Sequence, residues 1–197
     1  MQENASRRSN ADRTQATRAA LLAAARDLFV EKGYAETGTP EIVARAKVTR
    51  GALYHHFAEK ADLLRALVEQ EARAVADAIV VDTHGLKTPL EALMRGADAY
   101  FAAMQVPGRA RLLLLEGPVV LGRQTIDEID QATGAAQLLE GLKLAGAGGR
   151  SAPLEPLAEI LSAAFDKAAL RIAEGEPAAP YRRAARALLA GLVRPAR

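Results

Sequence analysis

The run TGTPEIVARAKVTRGALYHHFAEKADLL, residues 37–64, constrains this chain more than any other segment. It reads as two short helices joined by a tight turn, followed at once by the start of a longer helix. Thr39 is expected to cap the first of the two, with Pro40 at its first position and Glu41 in its first turn. Ile42, Val43 and Ala46 supply its buried side. Thr49 is expected to cap the second. Val48 before that cap and Leu53 at the fourth helical position form a hydrophobic staple, and Phe57 closes the small core. The same short helix carries Thr49, Arg50, Gly51, Tyr54, His55 and His56. These are closely spaced hydrogen-bonding groups with one glycine where a close approach is needed, an arrangement suited to a helix lying in the major groove of DNA.

The rest of the chain reads as helix as well. Alanine is abundant and aromatics make up only 4% of the 197 residues, which favours helix over sheet. A first helix is expected from about Asp12 to Lys32, with Leu21, Ala25, Leu28 and Phe29 at helical spacing and Gly33 as its stop. Residues 1–13, with Arg7, Arg8 and Arg13, read as a mobile arm. A fourth helix is expected from Glu59 or Lys60 to Val80, with Leu63, Leu64, Leu67 and Val68 inward. Thr88-Pro89-Leu90-Glu91 is a capping box with proline at the first helical position, and it opens a helix through Met104. Pro107 and Pro118 bracket a short helix containing Leu112–Leu115, and another spans Gln124–Leu144. Residues 145–156 form a flexible loop, and two last helices cover Glu155–Ala173 and Ala179–Val193. The expectation is an all-α chain of about nine helices.

Several classes of function are excluded or disfavoured. There is no cysteine, hence no disulfide, thiolate metal site or thiol nucleophile. No glycine-rich phosphate loop or nucleophile–base pair supports an enzyme. His55 and His56 are adjacent on a helix, point in different directions and lack a spaced partner, so neither a metal nor any cofactor is expected. The N-terminus is polar, and the apolar runs fall far short of the roughly 20 residues a membrane span needs. A soluble cytoplasmic protein without a membrane partner is expected. Net charge is only +2, but residues 1–60 hold 10 Lys/Arg against 7 Asp/Glu, and the remainder holds 16 against 17. The positive excess sits with the two-helix motif, as a DNA reader requires.

Residues 42–64, with VTRGALYHHFAEKADLL inside them, resemble the DNA-binding signature of the TetR family of transcriptional regulators. The resemblance implies an N-terminal three-helix DNA-binding unit (14–60) after the arm (1–13), and a C-terminal helical ligand-binding and dimerisation domain (61–197). Thr49 and Arg50 would then open the recognition helix, with Arg50 suited to the O6 and N7 acceptors of guanine. Gly51 would let the backbone approach. Tyr54 and His56 would hold phosphates, His55 a base or a phosphate, and Lys60 and Thr39 phosphates at helix starts. Two positions depart from the family pattern. Lys47 stands where glycine is usual in the turn, and Glu59 stands where a capping Ser, Asn or Asp is usual.

The resemblance further implies a homodimer through the last two helices, where Leu157, Leu161, Ala164 and Ala168 form one stripe and Tyr181, Ala185, Leu188 and Leu192 another. A twofold protein matches a palindromic operator in double-stranded DNA. It also implies a small-molecule ligand, its identity unknown, for which Tyr100, Phe101, Met104, Glu116, Gln124 and Phe165 are candidates. The expected function is a ligand-released repressor. The alternatives are a helical protein-interaction module and a constitutive DNA-binding protein without a ligand.

Overall fold

A computed structural model describes the backbone of residues 3–148 and 153–193, and side chains from Asn10 onward within those ranges. Among them there is no strand, only an isolated bridge between Ala147 and Val193. No helix is long and apolar enough to cross a membrane. The chain divides into two compact units, Met1–Val68 and Glu69–Arg197. The division falls inside a helix, eight residues beyond the expected 60/61 boundary. The reason is that Leu63, Leu64, Leu67 and Val68 are fully buried and belong to the first unit's core.

The first unit contains α1 (Glu3–Lys32), α2 (Thr39–Ala46), α3 (Arg50–His56) and the start of α4 (Lys60–Thr83). Helix begins at Glu3, so the arm expected at residues 1–13 is helical from that point. The side chains of Arg7 and Arg8 lie outside the described residues. Leu21, Phe29, Ile42 and Leu53 close the core with the α4 leucines. The α1–α2 turn is held by polar atoms. Thr37, only 1% exposed, donates to the Gly33 carbonyl at 2.8 Å. Lys60 donates to the carbonyls of Tyr34 and Thr37, each at 2.9 Å, with its ammonium 4.0 Å from the centre of the Tyr34 ring. Arg45 and Glu31 form a two-pronged pair at 2.9 and 3.0 Å between α2 and α1.

The caps refine the expected starts. Gly38, not Thr39, is the N-cap of α2, and the Glu41 carboxylate reaches back to the Gly38 N–H at 3.1 Å. Glycine can cap because its backbone is extended there and Glu41 supplies the acceptor. Thr49 caps α3 as expected, accepting from the Ala52 N–H at 3.1 Å. Lys47 takes the left-handed turn at φ 54°, ψ 40°, the one described non-glycine residue with positive φ. Ahead of α4, the Asp62 carboxylate accepts from the Glu59 N–H at 3.0 Å, the reciprocal half of a capping box, which satisfies a donor that a cap side chain at Glu59 would not reach.

The second unit holds the remainder of α4 and α5 (Pro89–Met104), α6 (Arg109–Arg111), a π-helical stretch (Leu112–Glu116), α7 (Gly117–Leu121), α8 (Arg123–Gln131), α9 (Gly134–Leu144), α10 (Leu154–Ala173) and α11 (Ala178–Leu192). Thr88 caps α5 through the Glu91 N–H. α5 packs against α9, α10 and α11 around Leu93, Ala97, Phe101 and Met104. Pro118 does not end the short helix as expected. The π turn, in which the Gly117 N–H bonds the Leu112 carbonyl, widens the helix just ahead of the proline and lets the run continue to Leu121. The single helix expected over Gln124–Leu144 is two, broken at Ala132 and Thr133, where Thr133 adopts φ −134°, ψ −103°. Of the loop expected at 145–156, residues 149–152 lie outside the described residues.

Candidate nucleic-acid interface and apolar cavity

The three-residue turn and the Thr49 cap aim the start of α3 outward. Thr49, Arg50, Gly51, Tyr54 and His55 are all exposed, while Leu53 and Phe57 turn inward. Tyr54 is 43% exposed, unusual for an aromatic side chain in a unit with its own core. The Arg50 guanidinium lies 5.5 Å from the Tyr54 ring centre. Thr39, and then Arg50, hydrogen-bond the Tyr54 hydroxyl and hold its pKa below the usual phenol value. The half-buried first residue of α2 is thereby tied to the exposed face of α3, which places Thr39, Arg50 and Tyr54 together. Partial burial, then the charges of His55 and Arg18, push His56 below the ordinary imidazole range. At pH 7 His56 is therefore a neutral hydrogen-bonding group.

Gly51 has no intramolecular reason to be glycine. A Cβ built on it would approach, apart from its own helix backbone, a single described heavy atom, Thr49 Oγ1 at 3.9 Å, and its φ is not positive. Glycine within a helix costs up to about 1 kcal/mol relative to alanine. The open face at this position suits a partner surface that must come close.

Lys60, expected to face phosphate, also has a structural task. Two of its three donors hold the Tyr34 and Thr37 carbonyls, so it positions the α1–α2 turn beneath the interface. Residue-type reasoning missed this because both acceptors are backbone atoms. It missed the structural role of Thr37 for the same reason.

The second unit contains a cavity of about 430 Å³ between α4, α5, α8, α9 and α10. Most of its wall is hydrocarbon, including Ile79, Leu93, Ala97, Leu138 and Phe165. Of the six expected ligand residues, Tyr100 and Phe165 line it. The other four do not. Phe101 and Met104 are 1% and 2% exposed and belong to the core: one helical step turns Phe101 away from the Tyr100 face, and Met104 lies a full turn further along α5, past the lining residues. Glu116 pairs with Arg111 at 2.8 Å, and exposed Gln124 bonds Glu128 at 3.1 Å. The wall's polar groups were not anticipated: Asp130, Gln137, Ser162 and Asp166. Tyr100 donates to Asp166 at 2.6 Å. Burial raises the Asp166 carboxyl to about 6, against the lowering effect of the Tyr100 bond, and Asp130 adds to the rise. Burial also raises Asp130 itself, partly offset by the Ala135 backbone N–H. Among the described residues no group of three or more His, Asp or Glu is placed to hold a metal.

On the exposed side of the last two helices the expected stripes are partly redistributed. Leu161 and Ala185 are buried within the unit, while Ala164 and Leu188 are exposed. Ile160 of α10 is 68% exposed and Leu188 of α11 52% exposed, among exposed alanines and charged residues.

The comparisons with known proteins agree with this geometry. The family model described as bacterial regulatory proteins of the tetR family matches residues 21–67, and that of the tetracyclin repressor-like C-terminal domain matches residues 90–195. The A-factor receptor protein of Streptomyces griseus is 34% identical over 105 residues, covering 52% of this chain and 36% of the receptor. A transcriptional repressor of Mycobacterium tuberculosis is 35% identical over 106 residues, covering 48% of this chain and 56% of the repressor. The chain thus spans well under two thirds of these curated relatives. A solved TetR-family regulator from Pectobacterium atrosepticum is 30% identical with a TM-score of 0.69, covering 94% of this chain and 98% of that one. With its N-terminal helix-turn-helix and a C-terminal match over more than half its length, the chain belongs to the TetR family of transcriptional regulators.

Proposed function

We propose that the protein is a homodimeric repressor that reads a palindromic operator through paired α3 helices and is released by a small molecule bound in the second unit. The observation that carries the reading is the face of α3, where Arg50, Tyr54 and His55 are displayed outward around a glycine that packing does not require. Arg50 is the base-reading residue, and Thr49 and Gly51 bring the helix start close. Tyr54, His56 and Thr39 bind phosphates, which fix register without reading sequence. The exposed apolar residues of α10 and α11, Ile160 and Leu188, support self-association. Two α3 helices related by a twofold axis then address half-sites about 34 Å apart.

The cavity volume falls in the range typical of small-molecule sites. The name of the Streptomyces relative, a receptor, supports a ligand, and that of the Mycobacterium relative supports repression. Ile79, Val80 and Thr83 of α4 line the cavity, and Lys60 at the start of the same continuous helix holds the α1–α2 turn. A ligand that binds one α4 position more tightly than another would shift the DNA-binding population by that difference in affinity. A cytoplasmic location follows from this role.

Selection of bound fragments from genomic and random DNA tests the reading. Enrichment of a palindrome whose half-sites are separated by one helical turn supports it. Recovery without sequence enrichment, or a monomer on DNA by sedimentation, overturns it.

A further inference from the structure

The cavity couples two features that ordinarily exclude each other. Its wall is mainly hydrocarbon, with Val80 and Leu144 exposed at 54% and 64%. Yet Asp130 and Asp166 line it, and among the described residues neither has an ion-pair partner. Both are half-buried, and carboxylates taken partly out of water without a counter-charge are costly, so proteins pair them or use them. Asp166 holds one hydrogen bond, from Tyr100, and Asp130 one from the Ala135 N–H, so both keep acceptor capacity. A separate observation points the same way. Gln137 lines the cavity, and its Oε1 is buried without a hydrogen-bond partner while its Nε2 is spent on the Ala76 carbonyl at 3.1 Å. The site is therefore rich in unsatisfied acceptors. Among the described residues its carboxylates are not clustered as metal ligands.

We infer that the cavity takes a hydrophobic organic cation, an amine whose ammonium group lies between Asp130 and Asp166 while its hydrocarbon packs against Leu93, Leu138 and Phe165. An ammonium brings donors only, which match the surplus of acceptors. Its charge offsets the repulsion between two carboxylates that each resist ionisation by burial. A carboxylate ligand would add a third negative charge to the same wall, and a neutral alcohol would leave both acids uncompensated. Glu140 at the lining adds further negative charge, its nearest cation being Lys143 at 3.9 Å.

The inference rests on the proposed ligand response but is tested apart from it. The full chain is titrated calorimetrically at pH 7.5 with n-octylammonium, n-octanol and octanoate, which share one hydrocarbon tail and differ in charge. The expected result is at least tenfold tighter binding of octylammonium than octanol, with octanoate weakest. The double variant Asp130→Asn with Asp166→Asn should lose that preference while still binding octanol, which shows its cavity intact. Failure of octylammonium to bind, equal or tighter binding of octanol or octanoate, or a preference surviving in the double variant overturns the inference. The selectivity of the unaltered protein is read without any variant. Operator release is scored separately. Octylammonium binding that leaves the DNA complex intact upholds the cation site and removes the ligand response. Release by octanol or octanoate alone upholds the response and removes the cation site.

Discussion

α3 presents Arg50, Gly51, Tyr54 and His55 from six consecutive residues, while the cavity draws Ile79, Leu93, Asp130 and Asp166 from helices spread along the second unit. The two regions also treat polar groups oppositely. On α3 the side chains are solvated and held by short local bonds, so little stability depends on them. In the cavity the acids are half-buried and resist ionisation, so their chemistry is bound up with folding. A surface that reads a polymer can be written in one segment, whereas an enclosed site must be assembled by tertiary packing. Substitutions should therefore separate binding from stability at α3 and entangle them elsewhere.

Lys60→Ala is the largest expected break in that separation. It removes two charge-assisted bonds to turn carbonyls and the contact with Tyr34, and should destabilise the first unit by about 3 kcal/mol in denaturant unfolding. A loss of operator affinity with unchanged unfolding would instead make Lys60 a phosphate contact.

Asp166→Asn should act in the other direction. Its folded carboxyl titrates at about 6 against an ordinary 3.8, so the folded chain holds more protons between those values. Stability must then fall as pH rises through about 4 to 6. The asparagine variant escapes that penalty and should be more stable than the parent by on the order of 2 kcal/mol at pH 7.5, with the difference vanishing below pH 4. A gain independent of pH would show that the effect is not ionisation.

Arg50→Ala should weaken specific binding by roughly 1–3 kcal/mol and relax one base position, while the thermal midpoint hardly moves. Equal weakening on all sequences would recast Arg50 as a phosphate contact. The smallest sharpening comes from Lys47→Gly. Relief of the left-handed backbone should add no more than about 1 kcal/mol of stability, and loss of one charge should flatten the salt dependence of DNA binding. An unchanged salt slope would place Lys47 away from the phosphates.

The same contrast explains what could be read in advance. The helical class, the inward leucines and the Thr49 cap were legible because each depends on residues within one or two turns. The left-handed turn at Lys47 was anticipated only as a family departure, since lysine itself gives no turn signal. Glu59 looked like a poor cap because the acceptor for its own N–H, Asp62, lies inside the next helix. Asp130 and Asp166 look like ordinary solvent-facing acids on amphipathic helices, and only the packing of α8, α9 and α10 encloses them. Tyr100 and Phe165 line the cavity while Phe101 lies in the core, because large aromatics suit both places and only packing decides between them.

Gly51→Ala tests the central claim most directly, because it changes one methyl group on an open face and can be measured on two axes at once. If α3 reads DNA at close range, the variant gains up to about 1 kcal/mol in unfolding free energy, from helix propensity, and loses operator affinity at least several-fold. A variant that is more stable and binds the selected operator as tightly as the parent would contradict the account.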